Sequence, residues 1–100
     1  MDSGTRAMVD AVEEARRQLR ENALPTSKEG WRARVPPAEE RVMLGALAGL
    51  VEVTAELATA LSDRMTTIES PHFYKGAGSR LGDQARYLRE AEQKVARRLG

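Results

Sequence analysis

The chain has 100 residues, 16 Lys and Arg against 15 Asp and Glu, a formal net charge of +1 and no cysteine. A chain of this size makes one domain with a modest core, so its stability is small or shared with a partner. Near-neutral charge gives no global pull toward nucleic acid or an anionic membrane. The lack of cysteine excludes disulfides, thiolate zinc sites and cysteine nucleophiles.

The opening residues Met1-Asp2-Ser3-Gly4-Thr5 show no basic segment followed by an apolar one, so no secretory signal is expected. A cytoplasmic location is the expectation. Arginine outnumbers lysine, which hints at a GC-rich bacterial or phage genome. A first helix is predicted from Thr5 to about Ala23, capped by Asp2 or Ser3. Met8, Val12, Ala15, Leu19 and Ala23 share one face at helical spacing, widened by Val9 and Ala11. Glu13 and Arg17, then Arg17 and Glu21, are spaced to pair along the outside. Arg16, Arg17 and Arg20 could form a basic contact patch, but Asp10, Glu13, Glu14 and Glu21 neutralise it, which favours a solvated face.

Pro25 is expected to end this helix, leaving residues 24–36 as a linker. Loops of about a dozen residues are uncommon in a small domain and tend to carry function. Trp31 sits mid-linker, with Arg32 and Arg34 beside it. Its simplest role is to fold back as a cap on the small core. As an exposed anchor it would suit a protein interface, where tryptophan and arginine dominate the binding energy.

The central helix is predicted from Pro37 to Glu69. Pro37 supplies a first-turn proline, and Glu39 and Glu40 suit the positive end of the dipole. Ser70-Pro71 is read as its stop. Such a helix would be about 50 Å long. One apolar stripe runs Met43, Leu47, Leu50, Thr54, Leu57, Leu61, then Met65 and Ile68. A second runs beside it through Leu44, Ala48, Val51, Ala55, Ala58 and Met65. A helix apolar over so much of its circumference is covered on more than one side. Gly45 and Gly49 lie four apart and allow close helix approach. The uninterrupted apolar run stops at Glu52, with Glu56 beyond it, which argues against a membrane span.

Residues 70–78 are read as a loop with two adjacent aromatics, Phe73 and Tyr74, that pin it to the bundle end. Lys75 to Arg80 superficially resembles an anion site at a helix start, but the nucleotide fingerprints need a preceding strand. His72 is the only histidine and has no partner for a metal site. The last helix is predicted from Ser79 to Leu99, with Leu81, Ala85, Leu88, Ala91, Val95 and Leu99 on its apolar face. It has a net charge of +3 (six basic residues against Asp83, Glu90 and Glu92). The central helix has −4 (Arg41 and Arg64 against six acids). Complementary charge would orient the two helices more than it stabilises them.

These patterns describe an all-α protein: a three-helix antiparallel bundle or helical hairpin built on one long central helix, about 37–69, and completed by dimerisation. The expected function is a small non-enzymatic protein–protein interaction module, such as an adaptor, inhibitor or assembly factor, that self-associates through the central helix as a homodimer. Its interaction residues would be Trp31, Arg32, Arg34, Gly45, Gly49, Phe73, Tyr74, Arg86 and Arg89. The alternative is a nucleic-acid-binding regulator using the basic last helix and the arginines of the linker. No catalytic constellation, metal-ligand set or cofactor motif is present. Glu52 and Glu56 lack the Glu-x-x-His pattern of di-iron bundles.

Overall fold

The computed structural model describes residues 1–29 and 34–99. The described residues are helical or in connecting segments, as an all-α fold requires, and the chain divides into two compact units, residues 1–34 and 35–100.

The first unit is one helical rod with a change of pitch. Helix α1 spans Ser3–Gln18. The Asp2 carboxylate caps it, accepting from the Gly4 and Thr5 amides at 2.9 and 3.1 Å. A π segment, Leu19–Ala23, follows, and a short helix α2, Leu24–Ser27, continues it. Pro25 was expected to terminate the helix. It does not, because the π segment widens the ladder just before it: the Leu24 amide donates to the Leu19 carbonyl, five residues back. Pro25 then falls in the first turn of α2, where its missing donor costs little. On the outer face Glu13 pairs with Arg16 rather than Arg17, while Arg17 bridges Glu14 and Glu21. No residue of this rod is buried.

The second unit is an antiparallel hairpin. Helix α3 spans Pro37–Ser62 and α4 spans Ser70–Leu99. Pro36 is extended and its carbonyl accepts from the Glu40 amide at 2.9 Å, which starts α3 as the proline pair implies. The helix ends seven residues before the expected Glu69. Ser70-Pro71 is therefore a start, not a stop. The Glu69 carbonyl accepts from the His72 and Phe73 amides, and Pro71 sits where the first-turn amide would be unpaired anyway. The stretch 70–78, expected as a loop, is the first part of α4.

The two helices meet through small residues at seven-residue intervals. Ala48, Ala55 and Ser62 are buried on α3, and Gly78 and Ala85 on α4. Larger neighbours, Leu44, Val51 and Met65 with Tyr74, Leu81, Leu88 and Val95, are half-buried around them. That is the alternating four-three seam of an antiparallel helix pair. Closest approach is at Gly78: a Cβ there would overlap Thr59 Oγ1 and lie 3.3 Å from the Ala55 carbonyl oxygen. The buried Ser62 hydroxyl donates to the Thr59 carbonyl at 2.6 Å, so it joins this seam without an unpaired polar group.

Candidate functional site

Because one seam consumes one stripe of α3, the assignment of the stripes decides what remains. The seam uses the smaller stripe, Leu44, Ala48, Val51, Ala55 and Ala58. The bulkier stripe, Met43, Leu47, Leu50, Thr54, Leu57 and Leu61, lies beside it. Met43 is 57% exposed, Leu47 41% and Leu50 39%; Leu57 and Leu61 are half-buried. Thr54 does not break the apolar surface, because its hydroxyl donates to the Leu50 carbonyl at 2.8 Å. Val42 and Val53, further round the helix, are exposed as well.

The hairpin's two flanks differ in chemistry. On one flank, next to seam residues Val51 and Leu88, lie Glu52 and Arg89. Arg89 Nε donates to Glu52 Oε1 at 2.6 Å and its Nη1 to Glu92 Oε2 at 2.9 Å. These bonds raise the Arg89 pKa, and the hydrogen bond from Arg89 lowers that of Glu52 below the usual carboxylate range. Gly45 and Gly49 line this flank. A Cβ on Gly45 would come within 3.3 Å of the Glu92 carboxylate, and one on Gly49 within 3.9 Å of Arg89 Nη2. They make room for side chains, whereas the close backbone contact belongs to Gly78. A shallow open groove here is lined by Glu52, Glu56, Gly82, Arg86 and Arg89. The opposite flank carries Leu47, Thr54 and Leu61 on α3, with Gln84 and Ala91 at the equivalent positions of α4. Phe73, Arg80 and Tyr87 follow the same helical spacing on α4; the two aromatics are 64% and 67% exposed, and Arg80 between them is exposed as well.

The candidate residues from the sequence therefore separate. Arg89 is held across the seam by Glu52, and Arg86 pairs with Asp83 on its own helix, so both guanidiniums already have carboxylate partners. Phe73 is exposed and tilted against His72, ring centroids 6.3 Å apart. Tyr74 is half-buried at the seam. Arg34 is exposed in the connecting segment before α3. Trp31 and Arg32 lie outside the described residues. The Lys75–Arg80 stretch lies inside α4, so its amides belong to the helical ladder and not to a helix start. Sequence reasoning placed Ala85 on the apolar face of the last helix but missed Gly78 and Ser62 as seam residues; their seven-residue spacing from Ala85 and from Ala55 was the available signal.

Among the described residues no group of three His, Cys, Asp or Glu side chains could hold a metal ion. Helix α3 is by length and composition apolar enough to cross a membrane, with an 18-residue window of mean hydropathy 1.5 that is only 11% buried. No known protein family, curated protein or solved structure matches the chain.

Proposed function

We propose that the protein is a small, non-enzymatic helical interaction module, and that its binding surface is the exposed apolar stripe of α3. One observation carries this reading: the hairpin buries the small-residue stripe and leaves Met43, Leu47 and Leu50 facing outward. Monomeric soluble proteins rarely expose contiguous apolar surface on this scale unless it binds something. A protein partner fits better than a lipid bilayer. Glu52 lies midway along α3 and ion-pairs with Arg89, and such groups are costly at membrane depth. The nucleic-acid reading loses two of its cations, since Arg86 and Arg89 are engaged by carboxylates. A second copy of the chain is the simplest partner, which makes this a homodimeric module.

The test is the thermal midpoint as a function of protein concentration. Association coupled to folding makes the midpoint rise with concentration. The wild type should show that rise, and Leu47→Glu/Leu50→Glu should not. A midpoint independent of concentration in the wild type, with no gain in mass, would remove self-association from the reading.

A further inference from the structure

The bulky stripe of α3 is flanked in the same alternation by one charged residue at each end, Glu40 inside the helix and Arg64 in the turn two residues past its last residue, Ser62. Counting by three and four gives Glu40, Met43, Leu47, Leu50, Thr54, Leu57, Leu61 and Arg64. The series has a negative charge at one end, a positive charge at the other, and six residues between them that are apolar or have satisfied hydroxyls. It is also symmetric in spacing about its midpoint, between Leu50 and Thr54. Neither Glu40 nor Arg64 makes an ion pair among the described residues, and both are exposed.

We infer that the occupant of this stripe is a second copy of the same chain, with its α3 antiparallel to the first and related by a two-fold axis midway between Leu50 and Thr54. This deepens the function proposed above and rests on it. In that register Met43 faces Leu61 of the second copy, Leu47 faces Leu57, and Leu50 faces Thr54. Glu40 of each copy faces Arg64 of the other, so both ends are closed by opposite charges. A parallel pairing would put Glu40 against Glu40 and Arg64 against Arg64. Glu52, Glu56 and Arg89 stay out of the contact, because they lie on the other flank. A two-fold contact is isologous, so each surface residue is used twice.

The area is sufficient. Helix α3 has 26 residues, so the face is about 40 Å long, and two helices side by side are about 20 Å wide. The resulting footprint, roughly 800 Å² on each copy, is the size of a stable interface. That width takes in α4 as well as α3, so Arg80, Gln84, Tyr87 and Ala91 of α4 fall within the footprint.

The absence of cysteine makes the register directly readable. Glu40→Cys and Arg64→Cys proteins are prepared separately, equilibrated alone and mixed in a thiol redox buffer, with circular dichroism to confirm that each folds. Positions 40 and 64 of one chain sit at opposite ends of α3, whose stretch from 40 to 62 alone is about 33 Å long, far beyond disulfide reach. The antiparallel register predicts the mixed 40–64 disulfide as the main product and no 40–40 or 64–64 product. Dominant 40–40 disulfide would overturn the register but leave self-association standing. A wild type that stays monomeric at high micromolar concentration would overturn both. Charge reversal gives a second readout. Glu40→Arg or Arg64→Glu should weaken association about fivefold to tenfold, and Glu40→Arg/Arg64→Glu together should restore it. Failure of the double reversal to restore association would count against the cross-pairing.

Discussion

Gly76 and Gly78 stand two residues apart in α4, and replacing each by alanine should have opposite effects. In a helix interior alanine is better than glycine by about 1 kcal/mol. At Gly76 nothing lies within 4 Å of an added Cβ, so Gly76→Ala should realise that gain. At Gly78 the added Cβ would overlap Thr59 Oγ1 and approach the Ala55 carbonyl and the Thr59 amide nitrogen at 3.3 and 3.4 Å. The Thr59 side chain can rotate away, but the two backbone atoms move only if the helices part. Overpacking of that kind costs about 1–3 kcal/mol. Gly78→Ala should therefore be neutral to destabilising by about 2 kcal/mol, and Gly78→Leu worse. Thermal unfolding followed by circular dichroism separates them, since 1 kcal/mol shifts the midpoint of a domain this size by about 4–8 °C. Equal stabilisation by both alanines would refute the close seam at Gly78. No effect from Gly76→Ala would refute the helix through residues 70–78.

Glu52 has its pKa lowered by Arg89, so the stability it contributes is present above the unfolded carboxylate range near about 4.3 and is lost as pH falls through its lower folded value. Thermal midpoints measured from pH 7 down to pH 3 should fall, and Glu52→Gln should lower the neutral-pH midpoint and flatten that fall. Glu14, whose pKa is lowered by Arg17 and Gln18, should behave in the same sense within the first unit. Asp2→Ala removes the acceptor for the Gly4 and Thr5 amides; it should cost about 1 kcal/mol of local helix stability and speed amide exchange at those two residues. Ser62→Ala should cost about 1 kcal/mol or less in a denaturant titration, because the hydroxyl bonds only to the Thr59 carbonyl one turn back.

The helical class, the start of α3 and the Asp2 cap were legible because each rests on a local rule. The helix ends near proline were not. Pro25 and Pro71 look like stops in sequence, yet a proline in the first turn is equally compatible with a start, and only the surrounding ladder distinguishes the two. Gly76 and Gly78 suggested a loop because glycine is a poor helix former. At Gly78 the missing Cβ is what lets α3 approach, an effect that depends on a residue nineteen positions earlier, Thr59. The two stripes of α3 were both visible, but not which one would be used. The hairpin takes the stripe of alanines and serine because small side chains permit the closest backbone approach, and that choice leaves the larger leucines outside. Arg89 looked like an available cation because its partner Glu52 lies 37 residues away in sequence; the Asp83–Arg86 pair, three apart on one helix, was readable from spacing alone.

The most direct measurement is sedimentation equilibrium of the wild-type protein across the micromolar range. A hairpin that leaves the Met43–Leu61 stripe open and pairs it with itself predicts a mass approaching twice 11.0 kDa, and Leu47→Glu/Leu50→Glu returning to the single-chain value. A wild type that holds at 11.0 kDa throughout, or a double variant that dimerises as well as the wild type, would contradict it.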